Sequence, residues 1–147
     1  MPYTSSAAVA GRGWSLSIGS TPTLIGEIQE LPFTRPEWKF DDITNLESGN
    51  DAEILPTIRE SSEFTIKVNY VSGDAGQAAI EAAYQAATLS PFTLQATKTA
   101  TQTTAGDKWA FNGYVLGFDF DSISAAKHVV GSIKLKVTGA VTFTIGS

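Results

Sequence analysis

Hydrophobic and polar positions alternate along most of this chain, which is the pattern of β-strands with one buried face. Residues 14–18 read Trp, Ser, Leu, Ser, Ile, and a turn containing glycine and proline separates them from a second run, residues 23–30. We expect these two runs to pair as a hairpin. A third strand is expected after the next prolines, where Trp38 and Phe40 share one face.

The second half of the chain predicts further strands. Residues 63–70 alternate strictly, and a strand that starts at Phe92 leads into a threonine-rich hairpin tip. In "WAFNGYVLGFDFD" the apolar positions change parity at Gly113, so we expect a bulge there. The last segment, residues 133–145, alternates throughout, and from Thr138 onward it lacks the charge and proline that protect an exposed edge. That edge is either covered within the monomer or paired with a neighbour.

One segment has helical periodicity: "GDAGQAAIEAAYQAATLSPF", residues 73–92. Ser72 or Asp74 suits its N-terminal cap, and the Ser90-Pro91 step suits its end. We predict a helix over about residues 74–88 that packs on the sheet through small side chains. The predicted packing face contains Gly76, Ile80, Ala83, Tyr84 and Ala87.

Two segments lack periodicity. Residues 1–12 are small and polar, and we predict a flexible N-terminal arm, containing Tyr3 and Arg12, that orders on binding a partner. Residues 45–59 predict a long polar loop, longer than most connections in compact domains. The remainder, residues 13–147, is expected to be a single β domain.

Composition narrows the class of protein. A chain of 147 residues with 42% hydrophobic and 17% charged residues is an ordinary one-domain globule. Its net charge of -5 disfavours tight nucleic-acid binding, and the lack of cysteine excludes disulfides and thiolate sites. There is no signal peptide or membrane-length apolar run, so we expect a protein made in the cytoplasm without membrane insertion.

Candidate chemistry is sparse. His128 is the only histidine, which leaves little for a zinc site or a nucleophilic triad. The acidic groups at residues 41–42, 47–53 and 119–121 do not have calcium-site spacing, and we interpret them as solvated charge. Aromatic residues of the strand that starts at Trp109 lie on both of its faces, which favours core packing over a ligand platform. We assign no catalytic, cofactor-binding or metal-binding residue and expect no enzyme.

Taken in order, several segments resemble the tail tube proteins of long-tailed bacteriophages, in particular the lambda-like major tail protein family. These segments are "GRGWSLSIG", "IGEIQEL", "DDITNLES", "YVSGDAGQAAIEAAY", "FNGYVLGFDF" and "GSIKLKVTGAVTF". They extend over most of the chain. "DDITNLES" and "GDAGQAAIEAAY" are the most specific of them.

The resemblance implies a mainly β fold, a β-sandwich or rolled β-barrel with one flanking α-helix. It implies hexameric rings that stack into a tube for genome ejection, a structural role in the virion, and assembly in the host cytoplasm. Partners would be other copies of the chain, tail tip and tail terminator proteins, and a tape measure protein and transiting DNA in the lumen. The helix would lie on the outside of the sheet between neighbouring subunits. The loop expected to contact the adjacent ring contains Asn45, Leu46, Glu47, Ser48, Asn50, Asp51, Glu53, Ile54 and Leu55.

Two other classes fit the same residues. One is a monomeric β-sandwich that binds a carbohydrate or another small ligand on its aromatic strand. The other is an enzyme that uses an acidic pair such as Asp119 and Asp121. A related ring, such as a type VI secretion tube or a tail terminator, is the nearest alternative to the tube subunit.

Overall fold

A computed structural model describes residues 11–147, and the predicted mainly β architecture with one helix is confirmed. Seven strands form one curled, half-barrel sheet, in the order β2-β1-β7-β8-β9-β6-β3, and β4 pairs with β5 separately. The elements are β1 Ser15–Ile18, β2 Thr23–Leu24, β3 Ile28–Glu30, β4 Glu37–Asp42, β5 Ile54–Glu60, β6 Glu63–Asn69, α1 Ala75–Ala86, β7 Ser90–Gln95, β8 Lys108–Phe120 and β9 Val130–Thr144.

The first predicted hairpin is only partly correct. β1 pairs antiparallel with β2, but the second run divides at Glu27, whose φ of 52° is left-handed. The chain then turns away, and β3 pairs with β6 at the far edge of the sheet. A left-handed residue cannot continue a strand, so an uninterrupted polar and apolar pattern does not guarantee one uninterrupted strand.

The core lies on one face of the sheet and follows the alternation of the strands. Phe64, Ile66 and Val68 of β6 are buried, as are the odd-numbered positions of β9 from Ile133 to Val137. The Phe111 ring stacks on that of Phe92 with ring centroids 5.4 Å apart. The predicted burial of these strand faces is therefore confirmed, and the polar faces of the same strands point away from the core.

The register of β8 changes on both sides of Gly113 and not at Gly113 itself. Phe111, Gly113 and Val115 share the core face, so parity holds through Gly113. One irregularity lies between Ala110 and Asn112, where β9 has two residues more than β8, and the other between Val115 and Gly117, where β8 has one residue more than β9. The prediction of a bulge at Gly113 was wrong, because Gly113 pairs regularly with Val137, and its lack of a side chain serves close packing. A Cβ there would lie 2.7 Å from the Lys136 carbonyl oxygen.

Helix α1 packs on the core face of the sheet. Asp74 is the N-cap residue, and its side chain accepts from the Gln77 N–H at 2.9 Å. Ile80 and Ala83 are buried in the same cluster as the strand residues. The assignment of Tyr84 and Ala87 to the packing face was wrong, because Tyr84 is 44% exposed and Ala87 is the exposed left-handed C-cap.

Gln77 also belongs to the packing face of the helix, and the sequence pattern did not predict this. Its side-chain amide donates to the carbonyls of Gly26, at 3.2 Å, and Asn69, at 2.9 Å, and its carbonyl oxygen accepts from the Val71 N–H at 3.1 Å. Gln77 lies three residues before Ile80, and this spacing places both side chains on the same face of the helix. It was left out of the predicted packing face because its side chain is polar. Buried and fully bonded, Gln77 holds the start of the helix to two neighbouring segments.

We expect Gly76→Ala to destabilise the protein although alanine favours helix by about 1 kcal/mol. A Cβ at Gly76 would lie 2.1 Å from the Leu24 carbonyl oxygen and 2.5 Å from the Ile25 Cα, so the helix must move off the backbone of β2. Overpacking of this kind typically costs about 1–3 kcal/mol. Thermal unfolding checks this against Ala82→Ser on the exposed face, and equal midpoints for the two variants would contradict the close approach.

Candidate assembly surface

The β4–β5 hairpin, residues 37–60, is the most unusual surface of the molecule. Its strands pair only with each other, and every residue of both strands is exposed. A two-stranded hairpin has too little buried area to be stable alone, so such a hairpin in a native protein usually packs against something. This hairpin is therefore the leading candidate for an intermolecular contact.

One face of the hairpin groups several apolar side chains. The cross-strand partners Phe40 and Pro56 lie on the same side as Trp38. Ile54 lies there too, opposite the carboxylate of Asp42. The Arg59 guanidinium lies over the Trp38 ring, 5.2 Å from its centroid, and shields part of that ring. Exposed apolar side chains grouped in this way mark a contact surface.

The opposite face of the hairpin contains an ion pair. Lys39 Nζ lies 2.9 Å from a Glu60 carboxylate oxygen, and this contact raises the pKa of Lys39. Because the folded-state pKa is the higher one, the contribution to stability is present below the ordinary pKa of Lys39 and is lost as pH rises through the raised value. Both side chains are exposed, so the pair contributes little to stability.

Local hydrogen bonds order the tip of the hairpin. The Asn45 N–H donates to the Ser48 hydroxyl at 3.0 Å, and that hydroxyl donates to Glu53 at 2.9 Å. The Glu53 N–H donates to the Thr44 hydroxyl at 2.8 Å. Thr44 also bonds the Asp42 carboxylate and lowers its pKa. Leu46 stands fully exposed at the apex of this bonded turn.

The predicted loop over residues 45–59 is thus partly a strand. Its members up to Glu53 lie in the turn, but Ile54 and Leu55 belong to β5, so a loop that runs to Arg59 is wrong. The proline at position 56 concealed the strand. β5 is an edge strand of a two-stranded sheet, where proline is tolerated.

The predicted N-terminal arm is described only at its end. Tyr3 lies outside the described residues. Arg12 is exposed, and its carbonyl oxygen accepts from the Thr97 hydroxyl at 2.6 Å. This bond ties the chain to the loop between β7 and β8 immediately before β1 begins.

The final strand has an unpaired edge in its second half. β6 pairs with β9 only from Val130 to Lys136, and the Ser62 carbonyl extends this ladder to the Val137 N–H at 2.8 Å. Beyond that point β9 pairs with β8 alone. The sequence left two alternatives for the edge from Thr138 onward. In the described monomer no strand covers residues 138–144 on this side, so pairing of this edge with a neighbour stays a prediction.

A cavity of about 500 Å³ opens between β1 and β3, where the curled sheet does not close. The Trp14 and Trp109 rings stack in its wall with centroids 5.7 Å apart, and Leu31 and Phe33 contribute further apolar surface. Arg35 is the charged residue in its lining. The cavity is a cleft suited to an apolar occupant, without the convergent polar groups of a small-molecule site.

The polar face of the sheet contains bonded charges. The Lys67 ammonium donates to one Asp121 carboxylate oxygen at 2.7 Å, and the Ser132 hydroxyl donates to the other at 2.6 Å. Both bonds lower the pKa of Asp121. Lys136 lies 3.4 Å from a Glu63 carboxylate oxygen. Asp121, suggested by sequence as one half of an acidic pair, is therefore engaged with a lysine.

His128 lies 3.4 Å from the Gln29 amide nitrogen and is exposed. Within residues 11–147, no three histidine or acidic side chains are grouped as metal ligands. No helix in the same part of the chain has the length and apolar character needed to cross a membrane.

No protein-family model matches the chain, and no curated protein matches it in sequence. Solved structures do match it. A chain of the PVC sheath-tube complex, an extracellular contractile injection system in its extended state, aligns with a TM-score of 0.66 and 14% identity over 95% of this chain and 93% of that one.

Two further structures come from other systems. The SPP1 tail tube aligns with a TM-score of 0.66 and 19% identity, over 94% of this chain and 81% of that one. The tail of an empty gene transfer agent particle, refined with C6 symmetry, aligns with a TM-score of 0.65 and 15% identity, over 93% and 99% of the two chains. At these identities the likeness shows a shared fold, and the fold implied by the sequence resemblance is confirmed: this chain has the fold of tail tube subunits.

Proposed function

We propose that this chain is the structural subunit of a tail tube, a virion protein without catalytic activity whose stacked rings form the channel for genome ejection. The single observation that carries the proposal is the β4–β5 hairpin, with its ordered tip and its exposed apolar side chains. A monomer gains nothing from such a surface, whereas a repeating assembly buries it at every contact.

We propose a ring of six subunits. This number is supported by the C6 symmetry of the gene transfer agent tail, which shares the fold. Ring closure is a heterologous contact, in which one surface of each copy meets a different surface of the next. The open edge of residues 138–144 is suited to one side of that contact, because its backbone groups are available for pairing with another strand.

Stacking between rings is assigned to the hairpin tip, from Asn45 to Leu55. The N-terminal arm, with Tyr3 and Arg12, is assigned to the same interface. This assignment is supported by the Thr97 bond to the Arg12 carbonyl, which fixes the point from which the arm departs. Tail tip and terminator proteins would occupy the corresponding surfaces at the two ends of the tube, and the virion assembles in the host cytoplasm.

The lumen would hold a tape measure protein and then DNA without binding either specifically. The polar face of the sheet suits this role because two of its lysines, Lys67 and Lys136, are paired with carboxylates. Lys134 is the exposed lysine of β9 that forms no ion pair within the described residues. A surface that does not gather phosphates lets DNA slide.

Negative-stain electron microscopy of the purified protein over a concentration series, with sedimentation velocity alongside, tests the proposal. We expect rings that stack into hollow tubes as concentration rises. A monomer at every concentration, combined with saturable binding of a small ligand in the Trp14–Trp109 cavity, would support the binding-module alternative instead.

A further inference from the structure

The net charge of the chain is confined to the hairpin. Residues 37–60 contain seven carboxylates and two cationic side chains, a net charge of -5, which equals that of the whole chain. The rest of the chain contains eight charges of each sign. At the tip itself, Glu47, Asp51 and Glu53 are unaccompanied by any lysine or arginine.

The opposite end of the sheet has a different character. Strand β6 begins beside the root of the hairpin, where Glu63 pairs with Lys136, and it ends where Asn69 pairs with Val130. The β8–β9 loop, residues 121–129, leads into that second end, and the Val129 carbonyl accepts from the Tyr70 N–H at 2.9 Å. The seven residues of β6 therefore separate the hairpin root from the β8–β9 loop by about 20 Å.

The β8–β9 loop presents one lysine without an ion pair beside exposed apolar surface. Its one carboxylate, Asp121, is engaged by Lys67, and Lys127 forms no ion pair with any residue of the described chain. Ile123 is 76% exposed. A cavity of about 360 Å³ at this end is lined by Tyr70 and Phe120, whose rings meet edge to face with centroids 5.4 Å apart. Its lining also contains Glu81 and the helix cap Asp74, whose carboxylate accepts from backbone N–H groups.

We propose that the hairpin tip of one copy docks on the β8–β9 loop of the next copy, with Leu46 against Ile123 and the tip carboxylates around Lys127. This inference rests on the proposed stacking and names its receptor. The occupant is a second copy of this chain because the tip carboxylates can pair with Lys127 and the exposed Leu46 can pack on the exposed Ile123. The hairpin root and the loop lie at opposite ends of β6, so each docking leaves a free tip and a free loop, and the contact repeats in one direction.

Disulfide trapping tests the contact directly, because the chain has no cysteine to interfere. Leu46→Cys and Ile123→Cys, prepared separately and mixed under oxidising conditions, are expected to give a covalent heterodimer on a non-reducing gel. The matched control is Leu46→Cys mixed with Thr101→Cys, an exposed position between β7 and β8 at the other end of the sheet. That control pair is expected to give no heterodimer.

A charge exchange supplies an independent readout. Lys127→Glu is expected to abolish stacking while leaving the fold intact, and Asp51→Lys in the same chain is expected to restore it. Tubes that form from the parent without the Leu46–Ile123 crosslink, or with Lys127→Glu stacking normally, would overturn the docking site and leave the proposed function standing. A parent that forms no tube and no crosslink would overturn both.

Discussion

Ile80→Asp is expected to prevent folding, with no soluble monomer recovered. The Ile80 side chain is fully buried between α1 and the sheet, in the middle of the core cluster, and no cationic side chain belongs to that cluster. A buried carboxylate without a partner must either ionise at great cost or take up a proton, and both remove the apolar contacts of isoleucine. Loss of the main core contact of the helix is expected to cost about 4 kcal/mol or more, which is most of the stability of a domain at the lower end of the usual range of about 5–15 kcal/mol.

Tyr84→Asp is the matched control on the same helix. Sequence periodicity placed Tyr84 beside Ile80, but in the structure its ring is largely exposed. We expect the folded state of this variant to lie within about 0.5 kcal/mol of the parent, as for most surface substitutions. Circular dichroism and denaturant unfolding would decide between the two placements: equal losses in both variants would restore the sequence-based packing face.

Replacing residues 38–59 with Asn-Gly is expected to abolish tube formation and leave the domain folded. Glu37 and Glu60 are cross-strand partners, so a two-residue turn can join them without moving the sheet. The removed strand residues are all exposed, and we expect the free energy of unfolding to change by less than about 1 kcal/mol. Electron microscopy at the concentrations where the parent forms tubes measures the loss.

The fluorescence of Trp14 and Trp109 provides the control for folding of this shortened chain, because both remain in the cavity wall after Trp38 is removed. Tubes of normal length from the shortened chain would show that the hairpin is dispensable and would remove the main support for the proposed function. An unfolded product would instead show that the hairpin stabilises the monomer.

Alternation predicted most of the sheet because it reports which side of a strand is buried. It was accurate in β6 and in the first half of β9, where one face meets the core. It predicted a strand at Trp38 and Phe40 but could not tell that both strand faces are exposed in the monomer, since burial against a second chain leaves the same pattern. The sequence therefore indicated which residues form the candidate assembly surface, but it did not indicate that they form a hairpin exposed on both faces.

The remaining errors have local physical causes. Gln77 was missed because a polar side chain that bonds three backbone groups looks the same in a sequence as a solvated one. The division of the second strand run depends on the left-handed backbone of Glu27, a conformation that no pattern of apolar residues encodes. The proposed docking site at Lys127 depends on the register of β6 and β9, which places the hairpin root and the β8–β9 loop at opposite ends of β6 and cannot be read from the sequence.

The net negative charge of the hairpin also opposes incorrect pairing between subunits. A free subunit exposes the outer edges of β4 and β5 and the open edge of β9. Each of these edges could form backbone hydrogen bonds with the identical edge of another copy. Two hairpins brought side by side would place five net negative charges against five, whereas the proposed docking would place the tip carboxylates around Lys127. This repulsion would oppose edge-to-edge aggregation of free hairpins. Subunits at high concentration in the host would then assemble into the tube instead of aggregating.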